Sequence, residues 1–199
     1  MGTVATDLHL RRHRFTVDDY YRMAEQGILP RDARVELIEG EIIDMAAMGT
    51  RHAGRASILL QLLNRAVGER ALVRPQMPLR LNERNEPEPD VAVVKPRADF
   101  YLGSHPTPAD TLLVVEVADS TLKDDLDEMV PLYARYGVPE VWVFDCERLH
   151  LHVFSAPDAG QYTGESLIKA PEARTLAELP EVHIDLAGLF KPMPQDSAS

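Results

Sequence analysis

The stretch Glu88-Pro89-Asp90-Val91-Ala92-Val93-Val94, continued after a loop by Leu112-Leu113-Val114-Val115-Glu116-Val117, decides how this chain is read. Each apolar run has the length and composition of a buried strand. Each also carries one carboxylate: Asp90 at the entrance of the first, Glu116 inside the second. A charge inside a Leu/Val run is costly to bury without compensation. Two such charges brought together raise each other's pKa unless a cation sits between them. The residues alone leave two readings open. One is a divalent-metal site; the other is a strand-edge aspartate and a glutamate held in an ion pair.

Working outward, residues 16–25 open with Thr16 and Asp19 in capping-box spacing, and Gly27 with Pro30 ends that helix. Val35-Glu36-Leu37-Ile38 and Glu41-Ile42-Ile43-Asp44 flank the two-residue turn Glu39-Gly40, which predicts a β-hairpin. Glu36 faces either a site or solvent. Thr50–Val67 is the longest helical pattern, with Ile58, Leu59, Leu62, Leu63 and Ala66 as its stripe and His52 in its first turn. Leu72-Val73 and Leu79-Arg80-Leu81 read as short strands, and residues 95–110 as a loop.

From Thr121 to Tyr136 the pattern is helical, but Pro131 is tolerated only near a helix start, which predicts a regular helix from about Asp127 and an extended or kinked Leu122–Leu126. Val138–Asp145 and Leu149–Phe154 read as strands, the latter with His150 and His152 on its polar face. That histidine pair fits either a strand-borne metal pair or an ordinary polar face. A strand near Ser166-Leu167-Ile168 and a terminal helical turn around Leu186–Phe190 complete the pattern. The expected organisation is a loose basic arm over residues 1–14, one domain over 15–191, and a frayed tail over 192–199. The fold class is mixed α/β (α+β): a central sheet flanked by helices, preceded by a helix and a hairpin.

Composition narrows the function. The 199 residues carry a formal net charge of −11, which argues against a protein that coats nucleic acid by phosphate neutralisation. An enzyme whose metal site needs carboxylates remains compatible with it. Cys146 is the single cysteine, so neither an internal disulfide framework nor a cysteine zinc cluster is available. No apolar run reaches the length of a membrane span and the N-terminus lacks the apolar core of a secretory signal, so a cytoplasmic location is expected.

The ordered set Val35–Glu41, His52, Pro89-Asp90, Val115-Glu116-Val117 and Leu132-Tyr133-Ala134-Arg135-Tyr136-Gly137-Val138-Pro139-Glu140-Val141-Trp142 resembles the bacterial Uma-two endonuclease family. That family belongs to the restriction-endonuclease-like PD-(D/E)XK superfamily, and the resemblance runs from about residue 16 to 190. It implies Asp90, Glu116 and the Val117 carbonyl as ligands of magnesium, with manganese as a substitute. It places Glu36 and His52 in the same site. The implied reaction is hydrolysis of a phosphodiester in nucleic acid, with DNA as the expected substrate. One such site cuts one strand, so cutting both implies a homodimer. The chain departs from the pattern at the superfamily lysine: the position two residues after the glutamate is Ala118, and the shifted family position, four residues before Tyr133, is Met129. Lys123 is the nearest candidate substitute, although on a regular helix it lies about 240° round from Met129 and roughly 9 Å along the axis. The alternative is a degenerate relative that binds metal or nucleic acid, or acts in assembly, without turnover.

Overall fold

A computed structural model describes residues 12–30 and 32–192; of the arm expected over residues 1–14 only 12–14 lie within them, and of the tail expected over 192–199 only residue 192. Helix α1 (Val17–Glu25) begins at the expected capping box, with the Asp19 N–H donating to Thr16 Oγ1 and the Thr16 N–H donating to Asp19 Oδ2. Strands β1 (Val35–Ile38) and β2 (Glu41–Asp44) form the hairpin, with Ile38 opposite Glu41. Both turn residues have positive φ, 50° at Glu39 and 73° at Gly40, which is the backbone a two-residue hairpin turn requires. A β-carbon at Gly40 would lie 2.8 Å from Cβ of Arg14, so glycine is needed there for space as well as for φ.

Helix α2 (Thr50–Val67) buries Ala56, Leu59, Leu63 and Val67, and also Arg55. The stripe is rotated slightly from the expected one, leaving Ile58, Leu62 and Ala66 on its flanks. Strands β3 (Leu72–Pro75), β4 (Val91–Val94), β5 (Thr111–Ala118), β6 (Glu140–Asp145), β7 (His150–Asp158) and β8 (Gln161–Ile168) form one sheet in chain order. All neighbours are antiparallel except β5 and β6. That parallel step needs a crossover, and the helical segment after β5 supplies it. It runs as α3 (Leu122–Asp124), a π-helical turn (Asp125–Met129) and α4 (Val130–Arg135). The second hairpin, β9 (Ala173–Leu176) with β10 (Leu179–Asp185), packs with α2 on one face of the sheet. The crossover helix packs on the other, against Val114, Val141 and Val143.

Three expectations are corrected. Leu79-Arg80-Leu81 is extended but joins no sheet ladder: the Leu79 and Leu81 N–H groups donate to the Pro87 and Asn85 carbonyls. Pro78 removes an N–H donor at the point where a ladder would begin, and the chain instead folds back on itself through Asn82–Asn85. Leu122–Leu126 is irregular helix, the kinked rather than the extended alternative, and the regular helix resumes at Val130 rather than near Asp127. The wide π turn absorbs the irregularity, and Pro131 follows as the second residue of α4, where its missing N–H is tolerated. The terminal helical turn at Leu186–Phe190 is a hydrogen-bonded turn only, closed by the Leu189 N–H on the Leu186 carbonyl.

Candidate active site

In the β4–β5 ladder Val91 lies opposite Val115. Continuing that register by one residue sets Asp90 opposite Glu116, two like charges facing each other across adjacent strands, an arrangement that is destabilising by itself. Glu116 is buried, 8% exposed, and Asp90 is part-buried, its side chain 12% exposed. Hydrogen bonds lock them together. The Asp90 N–H donates to Glu116 Oε2 at 3.2 Å, and the Val117 N–H donates to Asp90 Oδ2 at 2.8 Å. Backbone N–H and C=O of one strand residue point the same way, so the Val117 carbonyl also faces the Asp90 side.

Other elements complete the cluster. His52 Nε2, from the first turn of α2, lies 2.7 Å from Asp90 Oδ1, and Gln76 Nε2 donates to the same oxygen at 3.3 Å. Burial opposes charge on His52, but the bond to Asp90 outweighs it and raises its pKa. Glu36 enters from β1, where its Oε2 accepts the Glu88 N–H at 3.1 Å; burial raises its pKa and nearby negative charges add to that. The Tyr133 hydroxyl, buried on α4, donates to Glu116 Oε1 at 2.7 Å. Burial pushes the Glu116 carboxyl well above its ordinary range, and the charges of Asp90 and Asp125 push it further.

Asp125 is the residue that sequence reasoning missed. It sits on the π turn, accepts a 2.7 Å bond from Thr121 Oγ1 and faces the same cavity as Asp90 and Glu116. Burial, with Asp90 and Asp124 nearby, raises its pKa to about 6. Pro131 was the available signal: a proline within a helical run announces an irregular turn, and π turns are frequent at functional sites. Tyr133 stood in the sequence as a packing residue; its hydroxyl is what the helix brings to Glu116.

The cavity enclosing these groups has a volume of about 640 Å³ and is also lined by Arg34, Asp119 and Met129. No lysine lines it among the described residues. Lys123 is exposed and lies outside the lining. Met129 is half-buried and also packs against the apolar cluster around Leu132 and Val141. His150 and His152 lie on β7, away from this cavity, with Asp145 opposite His150.

The donor set fits a hard divalent cation. Among the described residues no lysine or arginine pairs with Asp90, Glu116, Glu36 or Asp125, and His52 on Asp90 is the basic side chain set against their mutual repulsion. Among the described residues no three His, Cys, Asp or Glu side chains are grouped closely enough to hold a metal ion by themselves. Two carboxylates, one backbone carbonyl and room for water are what magnesium uses, whereas a closed cage is not.

Comparison with known proteins comes to the same architecture. A crystal structure described as "a putative nuclease belonging to DUF820" from Anabaena variabilis superposes with a TM-score of 0.66 at 17% identity, covering 88% of this chain and 97% of that one. Curated proteins return no match. The sequence profile of the Uma2 family, described as "Putative restriction endonuclease", matches residues 17–187. With both carboxylate strands, the hairpin and the crossover helix inside that span, this chain belongs to the Uma2 family.

Proposed function

We propose that the protein is a divalent-metal-dependent endonuclease that hydrolyses phosphodiester bonds of nucleic acid, with magnesium as the metal and DNA as the substrate. The observation that carries this reading is the facing pair Asp90 and Glu116, set at the floor of an open cavity with no lysine or arginine partner among the described residues. Membership of a family described as restriction endonucleases supports it.

Asp90, Glu116 and the Val117 carbonyl would hold the metal. When bound, it supplies positive charge against the phosphate oxygens and lowers the pKa of water. The chain's own residues orient this set. His52 and the Val117 N–H hold the two Asp90 oxygens, while Tyr133 and the Asp90 N–H hold those of Glu116. Glu36 and Asp125 are placed as further acceptors toward the cavity, suited to accept a proton from water. One site cuts one strand, so cutting both strands takes a homodimer.

A second reading is favoured by one observation: the cavity has no lysine among the described residues, and Met129 stands at the shifted family position. Losing one charge-stabilising donor costs about a hundred- to a thousand-fold in rate. A degenerate relative that binds metal or nucleic acid without turnover is the extreme of that loss.

Nicking of supercoiled plasmid in magnesium and in manganese separates the two. Under the first reading wild type nicks, Asp90→Ala does not, and Met129→Lys is faster than wild type. If only Met129→Lys nicks, the natural protein is the degenerate form. Cleavage that persists in Asp90→Ala sinks the site assignment.

A further inference from the structure

We infer that the nucleic-acid backbone tracks the β1–β2 hairpin wall of the cavity, held by Arg12, Arg14 and Arg34, and is turned away by the helical wall opposite. This rests on the nuclease reading and specifies where its substrate lies.

The two walls differ in charge. On the hairpin side, Glu41 Oε1 takes Arg14 at 2.7 Å and Arg12 at 3.3 Å, two cations on one carboxylate. The Arg14 guanidinium also donates to the Glu39 carbonyl at 3.0 Å, which fixes this basic spot at the turn end of the hairpin. Arg34 precedes β1 at the other end. It is exposed, lines the cavity and, among the described residues, has no carboxylate partner; its one contact is a long 3.5 Å bond to the Ala46 carbonyl. The facing wall carries Asp119, Asp124, Asp125 and Glu128, of which, among the described residues, Asp119 alone has an arginine partner, Arg51 at 3.2 Å. A polyanion entering the cavity meets a cluster of carboxylates on the helical side, whereas on the hairpin side Arg12, Arg14 and Arg34 stand beside Glu39, Glu41 and Asp44, with Arg135 on Glu39, so that this wall is the less repulsive of the two.

The spacing selects the ligand class. Between Arg34 and the Glu39-Gly40 turn lie the four residues of β1, which separate the two basic spots by roughly 15 Å at strand rise. One phosphate group cannot bridge that distance, whereas a sugar–phosphate backbone presents charge along all of it. Ile43 and Met48, 40% and 38% exposed, line the same wall and offer apolar surface to sugars and bases. Glu36 projects from β1 between the two basic spots, so a strand held there passes directly over the carboxylate floor.

The test is binding rather than cleavage. The full chain is titrated against a fluorescein-labelled DNA duplex of about twenty base pairs, by anisotropy, in calcium and separately in EDTA, across a salt series. Each lost phosphate contact lowers the slope of log affinity against log salt by about 1. The Arg12→Glu/Arg34→Glu variant should therefore lose about 2 from the wild-type slope and at least about tenfold in affinity. Arg34→Ala, a mild change at an exposed position, should lose about 1. Arg65→Glu/Arg70→Glu, the same charge change on exposed residues outside the cavity lining, should keep the wild-type slope. If the rim variants match that control, the inference is overturned while the nuclease reading stands. If wild type binds the duplex in neither condition, the DNA reading beneath it falls as well.

Discussion

Two pairs of buried acids sit on this one sheet, and their surroundings differ completely. Glu140 and Asp145 bound β6, a strand buried at every residue. Glu140 accepts from Trp142 Nε1 at 2.6 Å and from the Ala177 N–H at 2.7 Å, with Arg174 nearby at 3.9 Å. Asp145 accepts the N–H groups of Glu147 and Arg148 at 2.9 Å each and pairs with the Arg148 guanidinium at 3.2 Å. Asp90 and Glu116, two strands and one strand away, face each other with no arginine or lysine partner among the described residues. The β6 acids complete a structure. The β4–β5 acids are held in place by neutral donors and His52 but left electrostatically unresolved, which costs stability and makes sense where a cation is to be bound.

The sharpest break of this comparison exchanges each acid for a neutral residue. Glu116→Gln should cut plasmid nicking at least about a hundredfold, while the urea midpoint of the metal-free protein does not fall, because a repulsion is removed. Glu140→Ala should do the reverse. It strands two buried N–H donors at about 1–3 kcal/mol each, so a loss of about 3 kcal/mol in urea unfolding is expected, with nicking per folded molecule unchanged within about twofold. If both variants lose stability equally, the distinction between the pairs is wrong.

A smaller effect is expected at the tyrosine that positions Glu116. Tyr133→Phe leaves one Glu116 oxygen without its buried donor, for about 1–2 kcal/mol. Single-turnover nicking should slow by roughly tenfold with little change in apparent substrate affinity. A change confined to affinity would argue that the tyrosine does not act through Glu116.

The pH dependence sharpens the contrast further. Asp125 has its pKa raised from 3.8 to about 6 by burial and by Asp90 and Asp124. The folded state therefore binds the proton more tightly than the unfolded chain. Stability linked to Asp125 is complete below pH 4 and declines as pH rises through 6. At Asp145 burial works upward, but the backbone and side-chain bonds from Arg148, with Glu147, outweigh it and depress the pKa below 3.8. Its contribution is present above pH 4 and is lost as pH falls through the depressed value. Urea unfolding of metal-free protein should show Asp125→Asn gaining on wild type between pH 4 and 7 by roughly 1–3 kcal/mol. A flat difference over that range would remove Asp125 from the coupled cluster.

Much of this was legible in the residues. The capping box at Thr16, the Glu39-Gly40 turn and the stripe of α2 are local patterns, and local backbone preferences decide them. The strands holding Asp90 and Glu116 stood out because a charge in an apolar run is costly wherever it ends up. The family was legible from the order of those motifs. What the chain alone could not decide is which buried acids are satisfied. Glu140 and Asp145 also bound an apolar run, but Ala177 and Arg174, which complete Glu140, arrive from more than thirty residues away. Asp125 and Tyr133 join the site only because a π turn shifts the helix phase after β5, and a regular 3.6-residue period cannot forecast that shift. Local pattern determined the elements and flagged two acids. The tertiary structure decided which acids have partners, because hydrogen bonds and charge depend on through-space distance, which sequence separation does not encode.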